Sequence, residues 1–221
     1  FSRNLILKGL ADPCFNRVKV VPPGVESSWF DVERKLPTDS RLLFWGRLEE
    51  EKGLPELFIA LKEVTKKIKR VKLTLVGEGN QLKEYKNLVA TLGLTEQVEF
   101  KGWLDAREIQ NLTTQSYLGL FPSRVESFGL SVIEAMAAGL PVIAASGGAV
   151  PENIKDGVTG ALVPVNDSDA LAKAIISALE NPQYIETLAK VAKKAVRERF
   201  SWDKTADNMI DLYTSVLRNG I

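Results

Sequence analysis

Histidine is absent from this sequence, and Cys14 is its only cysteine. Without histidine the chain cannot build a Ser-His or Cys-His catalytic pair or a histidine metal site. A single cysteine cannot form an internal disulfide or a cysteine-based zinc site, and a free thiol favours a reducing, cytoplasmic compartment. We therefore predict a cytoplasmic protein that uses none of these chemistries.

A large net charge of either sign is lacking as well. The 221 residues carry 29 basic and 28 acidic side chains, a formal charge of +1. This balance gives no global field that draws in nucleic acid or an anionic membrane, so any anion must be bound locally. No apolar run approaches the roughly 18 residues that cross a bilayer, and there is no signal-peptide pattern. We expect a soluble protein with no nucleic-acid partner, and peripheral membrane contact only through a longer protein.

What is present is an alternation of short apolar runs with longer segments of helical period, which is typical of a parallel sheet with crossover helices. The predicted fold class is α/β. The candidate strands are Arg41–Gly46, Val71–Gly77, Gln97–Lys101, Tyr117–Phe121, Pro141–Ala145 and Ala161–Val163. The candidate helices are Leu54–Lys69, Gln81–Leu92, Ala106–Gln115, Leu130–Ala138, Ser168–Glu180, a helix from there to about Arg199, and Trp202–Leu217.

The two ends of the chain differ from its middle. It opens on Phe1 rather than Met, and Pro22-Pro23-Gly24 forms a stiff, hinge-like element. We suspect a fragment of a longer protein, in which residues 1–22 are the remnant of a preceding domain or linker. The compact domain is predicted to span residues 23–199, followed by a terminal helix in residues 200–221.

The segment from Phe121 to Ser146 carries the strongest signal for a ligand site. A strand, a loop and a helix that opens near Gly129 follow one another, so backbone N–H groups meet the carboxyl edge of the sheet. Anionic ligands bind at such helix N-termini in open α/β folds. An ordinary strand-to-helix connection, whose serine caps the helix, explains these features equally well.

Two carboxylates favour the ligand site over that simpler explanation. Glu126 and Glu134 are eight residues apart, a spacing that keeps both on roughly one helix face but about 12 Å apart along the axis. That separation exceeds the roughly 5–10 Å of a glycosidase acid–base pair. We expect them to hold opposite ends of one elongated ligand, because a carboxylate accepts two hydrogen bonds from a vicinal diol.

A second cluster follows the first strand, where Arg47 and Lys52 emerge at the same sheet edge. Two cations suit a diphosphate, and Lys52 is the better candidate for direct contact. The intervening EEE run on its own has the composition of a solvated loop. Gly102 follows the third strand. The segment around it either presents backbone groups to a base edge or is a structural turn.

These pieces, in this order, resemble the group-1 family of retaining GT-B glycosyltransferases. The family's E-x7-E motif is similar to Glu126-SFGLSVI-Glu134, and its G-R-x(n)-K-G element is similar to Gly46-Arg47-LEEE-Lys52-Gly53. The resemblance covers nearly the whole chain. It implies a Rossmann-like parallel sheet flanked by helices, the C-terminal half of a GT-B fold.

By the same resemblance, Arg47 and Lys52 contact the diphosphate of a nucleotide-sugar donor, and Glu126 contacts the transferred sugar. It implies that the backbone amides of Phe128, Gly129 and Leu130 hold phosphate and sugar, Glu134 the ribose diol, and the segment around Gly102 the base. Glu126, Arg47 and Lys52 are then the catalytic residues. The family needs no metal and no cofactor beyond the UDP- or GDP-sugar itself.

The departure from the family is large, because a GT-B enzyme has two Rossmann-like domains. The acceptor-binding N-terminal domain, with the family's usual active-site histidine, is missing except for a remnant. We therefore predict donor binding without efficient transfer, and a terminal helix that exposes an apolar stripe or repacks. The alternatives are a nucleotide-sugar epimerase, a phosphorylase-like GT-B relative, or a non-catalytic α/β interaction module.

Overall fold

A computed structural model describes residues 18–219, which are built around one parallel sheet. Its six strands lie in the order β3-β2-β1-β4-β5-β6. The strands are β1 (Arg41–Trp45), β2 (Lys72–Val76), β3 (Val98–Phe100), β4 (Leu118–Phe121), β5 (Val142–Ala145) and β6 (Ala161–Val163). The helices are α1 (Ser27–Phe30), α2 (Leu54–Lys67), α3 (Leu82–Thr91), α4 (Ala106–Gln115), α5 (Leu130–Ala137), α6 (Val150–Asn153), α7 (Ser168–Glu180), α8 (Pro182–Phe200) and α9 (Trp202–Asn219). The predicted α/β class and the Rossmann-like architecture are confirmed.

The sheet is covered by helices on both faces, and the strand sequences reflect this. Every residue of β4 and β5 is buried. Both strands read as uninterrupted apolar runs because a central parallel strand has no face in water. Helix α2 packs on α7 and helix α5 packs on α8. These packed layers hold the strand ends, and the loops that leave them, in fixed positions.

Three short elements were missed by the sequence analysis: α1, α6 and a single 3₁₀ turn at Glu50–Lys52. One turn is too short to show a helical period, so only tertiary contacts stabilise it. The EEE run stays largely in solvent, in keeping with its composition, and the Glu50 side chain is 77% exposed. The run forms the 3₁₀ turn, and Glu50 contacts Arg124 from the β4 loop at 3.1 Å.

The described part of the N-terminal segment is attached to the C-terminal end of the fold. The Val25 N–H donates to the Phe200 carbonyl at 2.7 Å, and the Thr205 hydroxyl donates to the Pro22 carbonyl at 3.0 Å. The division into residues 1–22, 23–199 and 200–221 stays a prediction, and its first 17 residues lie outside the described part.

Helix α9 carries apolar side chains in water. These residues, between 36% and 83% exposed, are Met209, Ile210, Tyr213, Val216 and Leu217. Their spacing places them on one stripe of the helix. The exposed stripe expected for the terminal helix is therefore present. In residues 18–219, no helix has the length and apolar character that crossing a membrane requires.

Candidate functional site

The strand order brings two loops to one place. β1 pairs with β2 on one side and with β4 on the other, all in parallel. The chain therefore leaves β1 and β4 at the same carboxyl edge of the sheet. From β1 the strand order continues to β2 and β3 on one side, and from β4 it continues to β5 and β6 on the other. That topological switch point is where ligands bind in open α/β sheets.

Lys52 from the β1 loop and Glu126 from the β4 loop meet at this point. The Lys52 Nζ lies 2.6 Å from the Glu126 Oε1, and the Ser123 hydroxyl donates to the same oxygen at 2.9 Å. Their side chains are only 15% and 18% exposed, so the pair is shielded from water and screened little by salt. Two residues predicted from separate motifs thus form one polar cluster.

Arg124 ties the two loops together, and the sequence analysis did not find it. Its guanidinium contacts Glu50 at 3.1 Å and Glu56 at 2.7 Å, and its backbone N–H donates to the Glu51 carbonyl at 2.8 Å. The pKa of Arg124 is raised, first by the hydrogen bond to Glu56. No local sequence pattern indicates the role of Arg124, because its partners lie in and after the loop that follows another strand.

Glu126 and Glu134 do not share a helix, which agrees with the predicted helix Leu130–Ala138, so the helical rise used to estimate their separation applies to only part of the span. Helix α5 begins at Leu130, and Glu126 lies in the loop before it. Gly129 occupies the N-cap position with φ +85°, a conformation that side-chain-bearing residues rarely adopt. The first amides of α5 have no partners within the helix, and their predicted role as donors to an anion stays a prediction.

The neighbours of Gly129 are placed differently from each other. The Phe128 ring is half-buried against Phe200, with the centroids 5.6 Å apart, and its carbonyl accepts a hydrogen bond from Asn153. Leu130 is 47% exposed at the first position of α5. The backbone amides of this segment are thus held at the helix start, while the Phe128 side chain helps to fix the loop.

Glu134 points toward the end of β1. Its Oε2 accepts a hydrogen bond from the Trp45 indole N–H at 3.1 Å. Burial raises the pKa of Glu134, and the Trp45 hydrogen bond opposes this shift. Glu134 was predicted from its motif, whereas Trp45 was not, because it resembles an ordinary apolar strand residue.

Arg47 and Gly102 lie on the other side of β1. The Arg47 guanidinium is mostly in solvent, 3.8 Å from a Glu51 carboxylate oxygen. The Gly102 carbonyl accepts a hydrogen bond from the Gly77 N–H at 2.7 Å, which joins the loops after β2 and β3. Beside them is an open cavity of about 290 Å³. It is lined by Trp45, Gly46, Arg47, Val76, Gly77, Glu78, Trp103, Leu104 and Ile109.

A Rossmann-like sheet with cations, carboxylates and a helix N-terminus at its switch point defines a class of nucleotide-binding α/β proteins. Within that class, the family model described as glycosyl transferases group 1 matches residues 25–215. The chain belongs to this family, and the resemblance inferred from the motifs is confirmed.

Known relatives agree with this membership. A D-inositol 3-phosphate glycosyltransferase of Segniliparus rotundus is 33% identical over 224 residues, covering 95% of this chain and 49% of the relative. The structure of HepE from Anabaena, solved in complex with UDP and glucose, is 25% identical with a TM-score of 0.85. That similarity covers 97% of this chain and 61% of HepE.

A third comparison concerns a separate domain. The solved C-terminal domain of the group 1 family protein LpcC from Francisella tularensis is 28% identical, with a TM-score of 0.68. The match covers 82% of this chain and 96% of that domain. The chain spans about half the length of the curated relatives it matches.

Proposed function

We propose that this chain is the donor-binding half of a retaining, metal-independent glycosyltransferase that transfers a hexose from a nucleotide-diphosphate sugar. The observation that carries the proposal is the 2.6 Å contact of Lys52 with Glu126 beside the N-terminus of α5. A shielded cation and a carboxylate in contact suit a ligand that carries phosphate and sugar hydroxyls next to each other. Family membership favours a transferase over the epimerase and phosphorylase alternatives.

Each group has one role in this proposal. Lys52, together with Arg47 when its exposed side chain turns inward, neutralises the diphosphate, and the amides of Phe128, Gly129 and Leu130 bind phosphate and sugar oxygens. Glu126 accepts hydrogen bonds from the hexose hydroxyls, and Glu134 binds the ribose diol. The base lies along the segment around Gly102. Cations and the helix dipole then stabilise the leaving diphosphate, so no metal is needed.

The solved complexes of a relative indicate which donor to test first. HepE was solved with UDP and glucose, and another structure of it contains UDP-glucose. These complexes support a UDP-sugar as the first donor to test on this chain, with a GDP-sugar as the alternative. The carboxylates that we assign to ribose and hexose read hydroxyl groups, which both donors share.

The acceptor is proposed to bind to a second domain. The chain covers only 61% of HepE, and the apolar stripe of α9 is unpaired in residues 18–219. We propose that this stripe packs on an acceptor-binding N-terminal domain of the same enzyme, and that the present chain alone binds donor without efficient transfer. The longer enzyme would act in the cytoplasm, with any contact to the membrane surface made through its other half.

Calorimetric titration with UDP, GDP, ADP and their sugars tests this function. We expect one nucleotide to bind, at concentrations up to millimolar because half of the cleft is missing. Lys52→Met should weaken that binding by about tenfold or more, which corresponds to about 1.4 kcal/mol. Lys66→Met is the matched control, since Lys66 makes an equally short pair with Glu63 on the exposed side of α2. Equal affinities in the two variants would contradict the proposal.

A further inference from the structure

We infer that Trp45 is a positioning residue for the ribose-binding carboxylate, so that its indole N–H sets how strongly the site prefers ribose over deoxyribose. The inference rests on the proposed function, because it takes Glu134 as the ribose ligand. It starts from the 3.1 Å hydrogen bond between the Trp45 Nε1 and the Glu134 Oε2. Trp45 is the last residue of β1, and Glu134 lies one turn inside α5.

The indole is held on two sides and cannot turn away. Its ring stacks on Trp29 with the centroids 5.9 Å apart and the planes at 6°, and the Phe121 ring meets it edge-on at 4.9 Å. Only 4% of Trp45 is exposed. Because a buried, close-packed ring keeps one orientation, the direction of its N–H is fixed before any ligand arrives.

A fixed donor gives the carboxylate a fixed plane. A glutamate side chain on a helix rotates about several bonds, and its carboxylate must face the ribose with suitable geometry to accept from two hydroxyls. The indole contacts Oε2, and an ionised carboxylate has about four acceptor positions, so capacity for a diol remains. The hydrogen bond therefore orients Glu134 and leaves other acceptor positions of the carboxylate available to a ligand.

The same bond also favours the charged form of the carboxylate. Burial raises the pKa of Glu134, whereas the indole hydrogen bond lowers it. A protonated carboxyl would lose the charge that strengthens its bonds to hydroxyl donors. Trp45 thus favours the charged form of Glu134 in addition to orienting it.

Trp45 also lines the cavity of about 290 Å³ that contains Arg47, Glu78 and Trp103. We have assigned the base to this side of the site. One ring therefore forms part of the wall on the base side and, through its N–H, holds the ribose carboxylate. Such an arrangement links the two halves of the nucleoside through a single buried side chain.

The test compares a ribonucleotide with its 2′-deoxy counterpart. Whichever of UDP, GDP and ADP binds most tightly is titrated against its 2′-deoxynucleoside diphosphate on the wild-type chain and on Trp45→Phe. We expect the wild type to prefer the ribonucleotide and Trp45→Phe to lose about five- to tenfold of that preference. The altered cavity wall acts on the base, which both ligands share, so its effect cancels in the ratio of the two affinities. A preference that survives unchanged in Trp45→Phe overturns the inference.

Trp29→Phe is the matched control, because it removes the same volume from the stack and leaves the Trp45 N–H in place. It should keep the ribose preference and lower the Tm less than Trp45→Phe, which also removes the hydrogen bond to Glu134. If Trp45→Phe is not folded at the titration temperature, Trp45→Met takes its place. Loss of the preference in Trp29→Phe as well would assign the effect to packing and overturn the inference.

Two further readouts separate orientation from general stability. Glu134→Ala should abolish the ribose preference, and Trp45→Phe added to it should change nothing more, since the indole acts through Glu134. The pH at which ribonucleotide affinity falls on acidification should be higher in Trp45→Phe than in the wild type. Independent, additive losses of ribonucleotide affinity in the double variant would contradict the inference that Trp45 acts through Glu134.

Failure of the proposed function gives a different result. If the wild type binds no nucleotide, or binds ribo- and deoxynucleotides equally, then the role of Glu134 itself is wrong and the inference falls with it. A wild type with a ribose preference that Trp45→Phe does not diminish refutes the role of Trp45 and leaves the role of Glu134 intact.

Discussion

Lys52 and Glu126 are 74 residues apart in the sequence, yet their side chains form a contact of 2.6 Å at the switch point of the sheet. In the proposed donor complex these residues serve different parts of the ligand, the diphosphate and the hexose. The ligand must therefore replace their mutual contact with its own. A nucleoside diphosphate without a sugar satisfies only the lysine, and a nucleotide-sugar satisfies both.

Glu126→Gln should consequently change the affinities for the nucleoside diphosphate and for the nucleotide-sugar to different extents. Removing the negative charge frees Lys52 for phosphate, so we expect the affinity for the nucleoside diphosphate to rise about three- to tenfold. The advantage of the nucleotide-sugar over the diphosphate should shrink, because an amide accepts fewer hydroxyl bonds than a carboxylate. Glu63→Gln, in the exposed pair with Lys66, should change neither value. Calorimetry that shows a weaker diphosphate affinity in Glu126→Gln would contradict this competition.

Glu134 should lower the stability of the fold at neutral pH. Burial raises the pKa of this carboxyl, so the folded state retains a proton that the unfolded chain has lost in the pH window just above its ordinary value. Stability therefore falls as the pH rises through that window, and the cost remains in full above it. Glu134→Gln should raise the Tm by about 2–4 °C at pH 8 and weaken nucleotide binding. Thermal unfolding of both proteins from pH 8 to pH 4 should show this advantage shrinking; a constant advantage would exclude the ionisation as its cause.

Gly148 should be required for the position of Glu126. At its φ of +60°, an added Cβ would lie 2.1 Å from the Glu126 carbonyl oxygen and 2.6 Å from its nitrogen, so Gly148→Ala must displace the loop. Gly93 is the matched control, because it has φ +73° and nothing within 4 Å of the added Cβ. Both alanine variants should lose about 1–2 kcal/mol from backbone strain. Only Gly148→Ala should also lose donor affinity by tenfold or more, and titration of both variants checks this.

The stripe on α9 should make the isolated chain self-associate. Exposed apolar side chains on one helix face pair with any similar surface at high concentration. Glu substitutions at Ile210 and Leu217, which are 61% and 83% exposed, should keep the chain monomeric without lowering its Tm. Lys204→Glu adds the same charge to the same helix outside the stripe and should leave the association unchanged. Sedimentation velocity over a concentration series measures this, and a wild type that stays monomeric throughout would contradict the prediction.

Much of the fold followed from local sequence. Buried strands such as β5 have no polar side, and α4 and α7 are preceded by Asp105 and Asp167, whose carboxylates cap the first turn in the structure. Period and capping are properties of neighbouring residues, so these elements were found within a few positions of their true ends. The single turns α1 and α6 were missed, because they owe their conformation to packing rather than to a pattern.

The site divides along the same line. The amino-acid composition excludes histidine chemistry, and the motifs identify Lys52, Glu126, Gly129 and Glu134 as candidates. The contacts between side chains were visible only in the folded chain: Lys52 pairs with Glu126, Arg124 joins their loops, and Trp45 donates a hydrogen bond to Glu134. These contacts span neighbouring strand ends, and the order of the strands depends on burial and pairing across the whole sheet.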